Sequence, residues 1–94
     1  MTLVRIAVYP VDVGQLDALK QSVDADLVPL YHQQPGFESL SIVTCGDDVV
    51  SVSRWDSHDH AEAGSKAAIV WAAHAPGSTG PPSAVYIGVE MNSA

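Results

Sequence analysis

Residues 37–55 read Phe-Glu-Ser-Leu-Ser-Ile-Val-Thr-Cys-Gly-Asp-Asp-Val-Val-Ser-Val-Ser-Arg-Trp. Two alternating runs, rich in β-branched residues, flank the turn Gly46-Asp47-Asp48. The pattern predicts an antiparallel hairpin with strands over 37–45 and 49–55. Strict alternation places Leu40 and Ile42 on one face, and Phe37, Ser39, Ser41, Val43 and Cys45 on the other. Pro35-Gly36 stops whatever precedes the hairpin. Asp56-Ser57 offers a helix N-cap directly after it, with Asp59 placed to complement the first turn of that helix.

Outward from the hairpin, each side carries a helix and then a strand. Before it, Leu16, Leu19, Val23, Leu27 and Leu30 form one apolar stripe within 13–34. Pro29 removes a helical hydrogen bond and clashes with the preceding turn, so a break is expected near Asp24 to Asp26. After the hairpin, residues 58–75 form an alanine-rich helix with Ala61, Gly64, Ala68, Trp71 and Ala75 on one stripe. Gly64 costs about 1 kcal/mol against alanine, which points to a close approach by a neighbour. Residues 3–9 and 84–91 read as strands, and 76–83 as loop. The order β-α-β-β-α-β over a single domain, residues 1–94, predicts an α+β, ferredoxin-like sandwich with both helices on one face of an antiparallel sheet.

Composition narrows the partners. The chain has 4 basic and 11 acidic residues, a net charge of −7, 47% hydrophobic residues and a mean hydropathy of +0.13. Four isolated cations cannot build a phosphate-neutralising stripe, so nucleic acid and anionic membrane surfaces are not expected partners. No apolar run approaches the roughly 18 residues of a membrane span, and the N-terminus reads as a first strand, not a leader peptide. The lone Cys45 has no internal disulfide partner, so a cytoplasmic location is expected. Low charge and high hydropathy in so short a chain indicate surface hidden by a partner. The sheet face away from the helices is expected to carry Phe37, Val43, Trp55 and Tyr86 and to pack on a second copy, forming a dimeric barrel.

The motifs Pro35-Gly36-Phe37, Arg54-Trp55-Asp56-Ser57 and His58-Asp59-His60-Ala61, in this order, resemble the antibiotic biosynthesis monooxygenase family. The resemblance covers nearly the whole chain. It implies a homodimeric α+β barrel with a pocket between helices and sheet. For function it implies a cofactor-independent monooxygenase of a small aromatic, phenolic or quinol-like substrate, or else a non-catalytic dimer binding haem or a small hydrophobic ligand. The haem-degrading branch uses an Asn on strand one, a Trp early in the second helix and an iron-ligating His later in it. Here Ala7 stands at the Asn position and Gly64 near the Trp position, and His74 alone matches. No cofactor is therefore expected, and haem on His74 is the disfavoured alternative.

For the oxygenase, His74 is the candidate base, with Tyr31, His32 and Arg5 as donors to a developing oxyanion. Trp71, Trp55, Tyr9, Phe37 and Tyr86 are candidates for the substrate walls, with core packing as the alternative role for the tryptophans. Arg5, Tyr9, Ser39, Ser41, Ser53 and Tyr86 share one strand parity that lines either a cavity or a wet interface. Alternation leaves open which parity meets the helices, since a slip of one residue exchanges the two sets. His58 and His60, two apart on a helix, point in different directions, and no metal site is expected.

Overall fold

The computed structural model describes residues 1–94. Strands β1 (Leu3–Pro10), β2 (Phe37–Cys45), β3 (Asp48–Trp55) and β4 (Ala84–Val89) form one antiparallel sheet in the order β2-β3-β1-β4. Helices α1 (Leu16–Ser22), α2 (Val28–His32) and α3 (His58–Ala72) supply the second layer. The ferredoxin-like α+β order predicted from the sequence is the order observed. The hairpin turn sits on Gly46, whose φ of +59° lies in the left-handed region that favours glycine. Ser57 caps α3 by accepting a hydrogen bond from the His60 backbone N–H at 3.2 Å. Asp12 caps a short 3-10 turn (Val13–Gln15) that leads into α1.

The expected break before Pro29 is not a break. A π-helical turn, Val23–Leu27, joins α1 to α2 and keeps the helix continuous. Proline has no N–H for its i−4 carbonyl, and its ring crowds that carbonyl; the wider turn relieves both demands. The turn also resets the phase of the helix. Steps of four residues drift about 40° each on an α-helix, yet Leu19, Val23, Leu27 and Tyr31 stay on one inward stripe. Tyr31 is therefore fully buried, while Leu30, assigned to the stripe by spacing, is only half-buried.

Pairing fixes the faces of the sheet. Leu3, Arg5, Ala7 and Tyr9 of β1 face the helices with Val49, Ser51, Ser53 and Trp55 of β3. Val4, Ile6, Val8, Val50 and Val52 lie on the other side. Two expectations are corrected here: Phe37 and Trp55 are not on the open face, which holds Val43 and Tyr86. A register irregularity between Phe37 and Ser39 lets Phe37 pair with Trp55 on the helix side, whereas Ser39 pairs with Arg54 on the open side. The serines divide likewise: Ser51 and Ser53 face the helices, Ser39 and Ser41 do not.

Trp55 anchors one end of the core, packed with Leu3, Leu27, Tyr31, Ala61 and Ala68. Its indole lies where a side chain on Gly64 would stand, so the missing Cβ of Gly64 is what lets α3 reach the sheet. Trp55 donates its indole N–H to Ser53 Oγ at 2.9 Å. The other end holds Ala7, Tyr9, Val11, Leu19 and Val49. Between the two ends the core is polar.

Candidate functional site

Arg5 stands at the middle of β1, between Ser53 of β3 and Ile87 of β4, and is 0% exposed. Its guanidinium reaches three elements. Nε donates to Ser65 Oγ on α3 at 2.8 Å, Nη2 to the Tyr9 hydroxyl on β1 at 2.9 Å, and Nη1 to the Tyr31 hydroxyl on α2 at 3.4 Å. No carboxylate pairs with it; the chain's ion pairs all lie elsewhere. A buried charge normally has an ionic partner, because desolvation costs several kcal/mol per ion. Arg5 has neutral hydroxyls only.

Arg5 is among the residues around a cleft between sheet and helices whose empty volume, open mouth included, is about 500 Å³. Its walls are mostly apolar, among them Val11, Leu19, Leu27, Ile42 and Val49, with Trp71 at the α3 side. The polar groups in it are Arg5, Tyr9, Tyr31, Ser51 and Ser78. Ser51 Oγ is buried and has no hydrogen-bond partner. Burial raises the Tyr31 phenol above its ordinary pKa of 10.0, against the opposing pull of Arg5, so its hydroxyl stays a donor at neutral pH. Tyr31 is further held by edge contact with Trp55 and a tilted contact with Phe37, ring centroids 5.3 and 5.4 Å away. The cleft is thus an apolar slot with a cation and its hydroxyl partners buried in its wall.

Of the residues singled out in the sequence, the structure brings Arg5, Tyr9, Tyr31 and Trp71 together in this cleft. Trp55 and Phe37 lie behind Tyr31 as its packing and do not line the cleft. His32 is exposed, its ring edge-on to Phe37 at 5.1 Å. Tyr86 is 64% exposed on the open sheet face. His74 falls in the turn after α3, which ends at Ala72 and not at 75; its side chain is exposed and stands off the cleft. His60 turns to Asp56, 2.6 Å away, and holds that carboxyl below its ordinary pKa, so His58 and His60 converge on no common point. Sequence reasoning passed over Ser51 and Ser65. Ser65 lay within reach, since it is a polar residue four places after Ala61 on the buried stripe of α3.

The haem alternative fits poorly. Its ligand candidate, His74, points to solvent outside the cleft, and Ala7 offers no hydrogen bond from strand one.

No protein-family model and no curated protein matches the chain. Solved structures do. The ActVA-Orf6 monooxygenase of Streptomyces coelicolor, in complex with nanaomycin D, is 20% identical, with TM-score 0.76 over 98% of this chain and 89% of that one. A protein from Bordetella bronchiseptica named an antibiotic biosynthesis monooxygenase is 17% identical, with TM-score 0.77 over 97% and 98%. A MhuD variant with two manganese protoporphyrin IX per active site is 20% identical, with TM-score 0.73 over 98% and 97%. The chain therefore has the ferredoxin-like α+β fold of the antibiotic biosynthesis monooxygenases.

Proposed function

We propose that the chain is a monooxygenase that holds a small phenolic or quinol-like molecule as its anion in the Arg5 cleft and oxidises it directly with O₂. The observation that carries this reading is the buried Arg5, with no carboxylate beside it, in the wall of an apolar cleft. In a low-dielectric site a fixed guanidinium lowers the pKa of a bound phenol and stabilises the oxyanion. The cleft contains no histidine or carboxylate, so the phenolic proton leaves to water and His74 takes no part. The electron-rich anion passes one electron to O₂, and the resulting substrate radical and superoxide join as a peroxide at a ring carbon. Loss of water from that ring carbon, which carries both the peroxide and a hydrogen, then leaves a carbonyl there: one oxygen atom stays in the product and the other leaves as water. Neither metal nor flavin is needed for this balance.

A second reading, a binding protein for a small aromatic molecule, is favoured by the same lack of a base in the cleft. Oxygen uptake with a panel of hydroquinones and anthrones separates the two. Turnover by the wild type, reduced about 10²-fold or more in Arg5→Met, supports the oxygenase. A wild-type rate equal to buffer across the panel sinks it.

The functional unit in this proposal is a homodimer. Only 16 of 94 residues are buried in the single chain, and Ile6, Val43 and Tyr86 stand exposed on one continuous sheet face. A second copy of the same face would cover them.

A further inference from the structure

We propose that the groove between α1 and strand β2 holds an unbranched alkyl chain of the ligand, so that the molecule bound is an alkyl-substituted phenol or quinol. The inference rests on the reading that the Arg5 cleft takes a phenolic ring, and adds where the rest of the molecule lies.

Two hollows adjoin that cleft. The first lies between α1 and the edge of the sheet, and its empty volume, open side included, is about 920 Å³. It shares Leu19, Val23, Ile42 and Val49 with the cleft. The second lies between α3 and the loop that follows it, at about 610 Å³, and shares Tyr9, Ala72 and Ser78 with the cleft.

The two partitions differ in kind. At the loop, main chain is bonded to main chain. Asp12 N–H donates to the Gly77 carbonyl at 2.8 Å, Thr79 N–H to the Pro10 carbonyl at 3.4 Å, and Val11 bridges to Ser78. A ligand that passed there would have to break backbone hydrogen bonds. At α1 the partition is made of side chains: Leu19 and Val23 from the helix, Ile42 from β2 and Val49 from β3. No backbone hydrogen bond joins residues 16–28 to β2 or β3. Val23 and Ile42 are only half-buried, and their rotation opens a way from cleft to groove at no cost in hydrogen bonds.

The chemistry of the groove selects a hydrocarbon. Leu16, Val28 and Leu40 continue its apolar walls beyond the partition. Its charged residues, Asp17, Lys20 and Asp24, are exposed at the rim, where Lys20 is already paired with Asp24 at 3.0 Å. Apolar walls under a polar rim are the usual make-up of a site for an apolar group. Leu40 to Thr44, four steps along an extended strand, spans about 13 Å, room for a chain of several carbons.

The test is a calorimetric titration of the full chain with 4-methyl-, 4-ethyl-, 4-butyl- and 4-hexylphenol. Each CH₂ taken from water contributes about fourfold in affinity, so the hexyl compound should bind at least about 10²-fold tighter than the methyl one. Thr44 lies exposed on the edge strand and lines the groove but not the cleft. Thr44→Trp should fill the groove, leaving the affinity for 4-methylphenol unchanged and reducing the hexyl gain to about tenfold or less. Ile42→Ala, which thins the partition, should raise affinity for the hexyl compound relative to the methyl one. If that variant does not fold, Thr44→Trp decides, since its site is exposed and tryptophan suits a strand. Equal affinity along the series overturns the proposal and leaves the phenol reading standing. A full chain-length gain in Thr44→Trp overturns it as well, and with an altered oligomeric state assigns the groove to a second copy of the chain. No binding of any member removes both the groove and the phenol reading. A chain-length gain that Thr44→Trp abolishes, in a chain without oxygen uptake, supports the groove and removes only the oxygenase.

Discussion

Arg5 concentrates the energetic conflict of this molecule in one side chain. Desolvating its charge opposes folding by several kcal/mol, and three hydrogen bonds to hydroxyls, each about 1.5–3 kcal/mol when one partner is charged, offset that cost. The two terms are of similar size, so the arginine contributes little net stability. Arg5→Met should therefore melt within about 5 °C of the wild type or above it, while the cleft loses its function. A fall of 15 °C in a thermal scan would instead make Arg5 a structural tie. Tyr31 supplies a pH signature. Its folded pKa lies above 10.0 because of burial, so the folded state holds this proton longer than the unfolded chain. Its contribution to stability is complete below pH 10.0 and is lost as pH rises through the folded value. In an ultraviolet titration one phenol should ionise above the ordinary range, and Tyr31→Phe should remove that step along with part of the alkaline loss of stability.

At the scale of elements, two backbone features hold the site together. The π-helical turn Val23–Leu27 shifts the phase by which Tyr31, and not Leu30, comes under Arg5. Pro29 makes the wider turn the better solution, so Pro29→Ala removes the reason for it. The variant should lower affinity for a cleft ligand by several-fold with helix content by circular dichroism unchanged; unaltered binding would show that the turn persists without the proline. Gly64 is the other feature. Alanine gains about 1 kcal/mol of helix propensity, but its Cβ would overlap the Trp55 indole, and overpacking costs typically 1–3 kcal/mol. The steric cost wins, because the indole is fully buried and Ser53 holds its N–H. Gly64→Ala should lower the melting temperature, whereas a stabilised variant would mean that the indole has room to move. At the start of α3 the Asp56 carboxyl is held below 3.8 by the hydrogen bond to His60. That interaction is complete above the ordinary carboxylate range and is lost as pH falls through the lowered value, so Asp56→Ala should flatten the acid limb of the stability profile.

At the scale of the whole molecule, the layer of helices covers one side of the sheet and leaves a second side rich in valine. Val52, opposite Ile6 and Ser41 at its centre, is half-buried in the single chain. A lysine there would place charge in the middle of any face-to-face contact. Sizing at several micromolar concentrations should show a dimer for the wild type and a monomer for Val52→Lys. A wild-type monomer throughout that range would count against the homodimer. The net charge of −7 disfavours polyanionic partners and keeps either form in solution.

How much of this was legible beforehand differs by feature. Strand β2 falls on Phe37–Cys45 as the alternation and the flanking Pro35-Gly36 require, and the cap at Ser57 lies where its residue type favours it. These are local effects: turn chemistry, capping and a period of two act over a few residues and can be read without a partner. The element order then leaves few antiparallel arrangements, so the fold followed. The faces did not follow. In β1 the more apolar set, Val4, Ile6 and Val8, looks outward, while an arginine and a tyrosine look in. Both faces of this sheet are apolar enough to be covered, so alternation separates two sets without saying which meets the helices. Ser51, Ser65 and the clamp on Arg5 join residues up to 60 positions apart, and no local pattern encodes a contact of that range. The amino-acid sequence by itself determined the elements and their order. Only the tertiary structure decided that the buried parity is the one carrying Arg5, because that choice depends on which side of the sheet the helices cover.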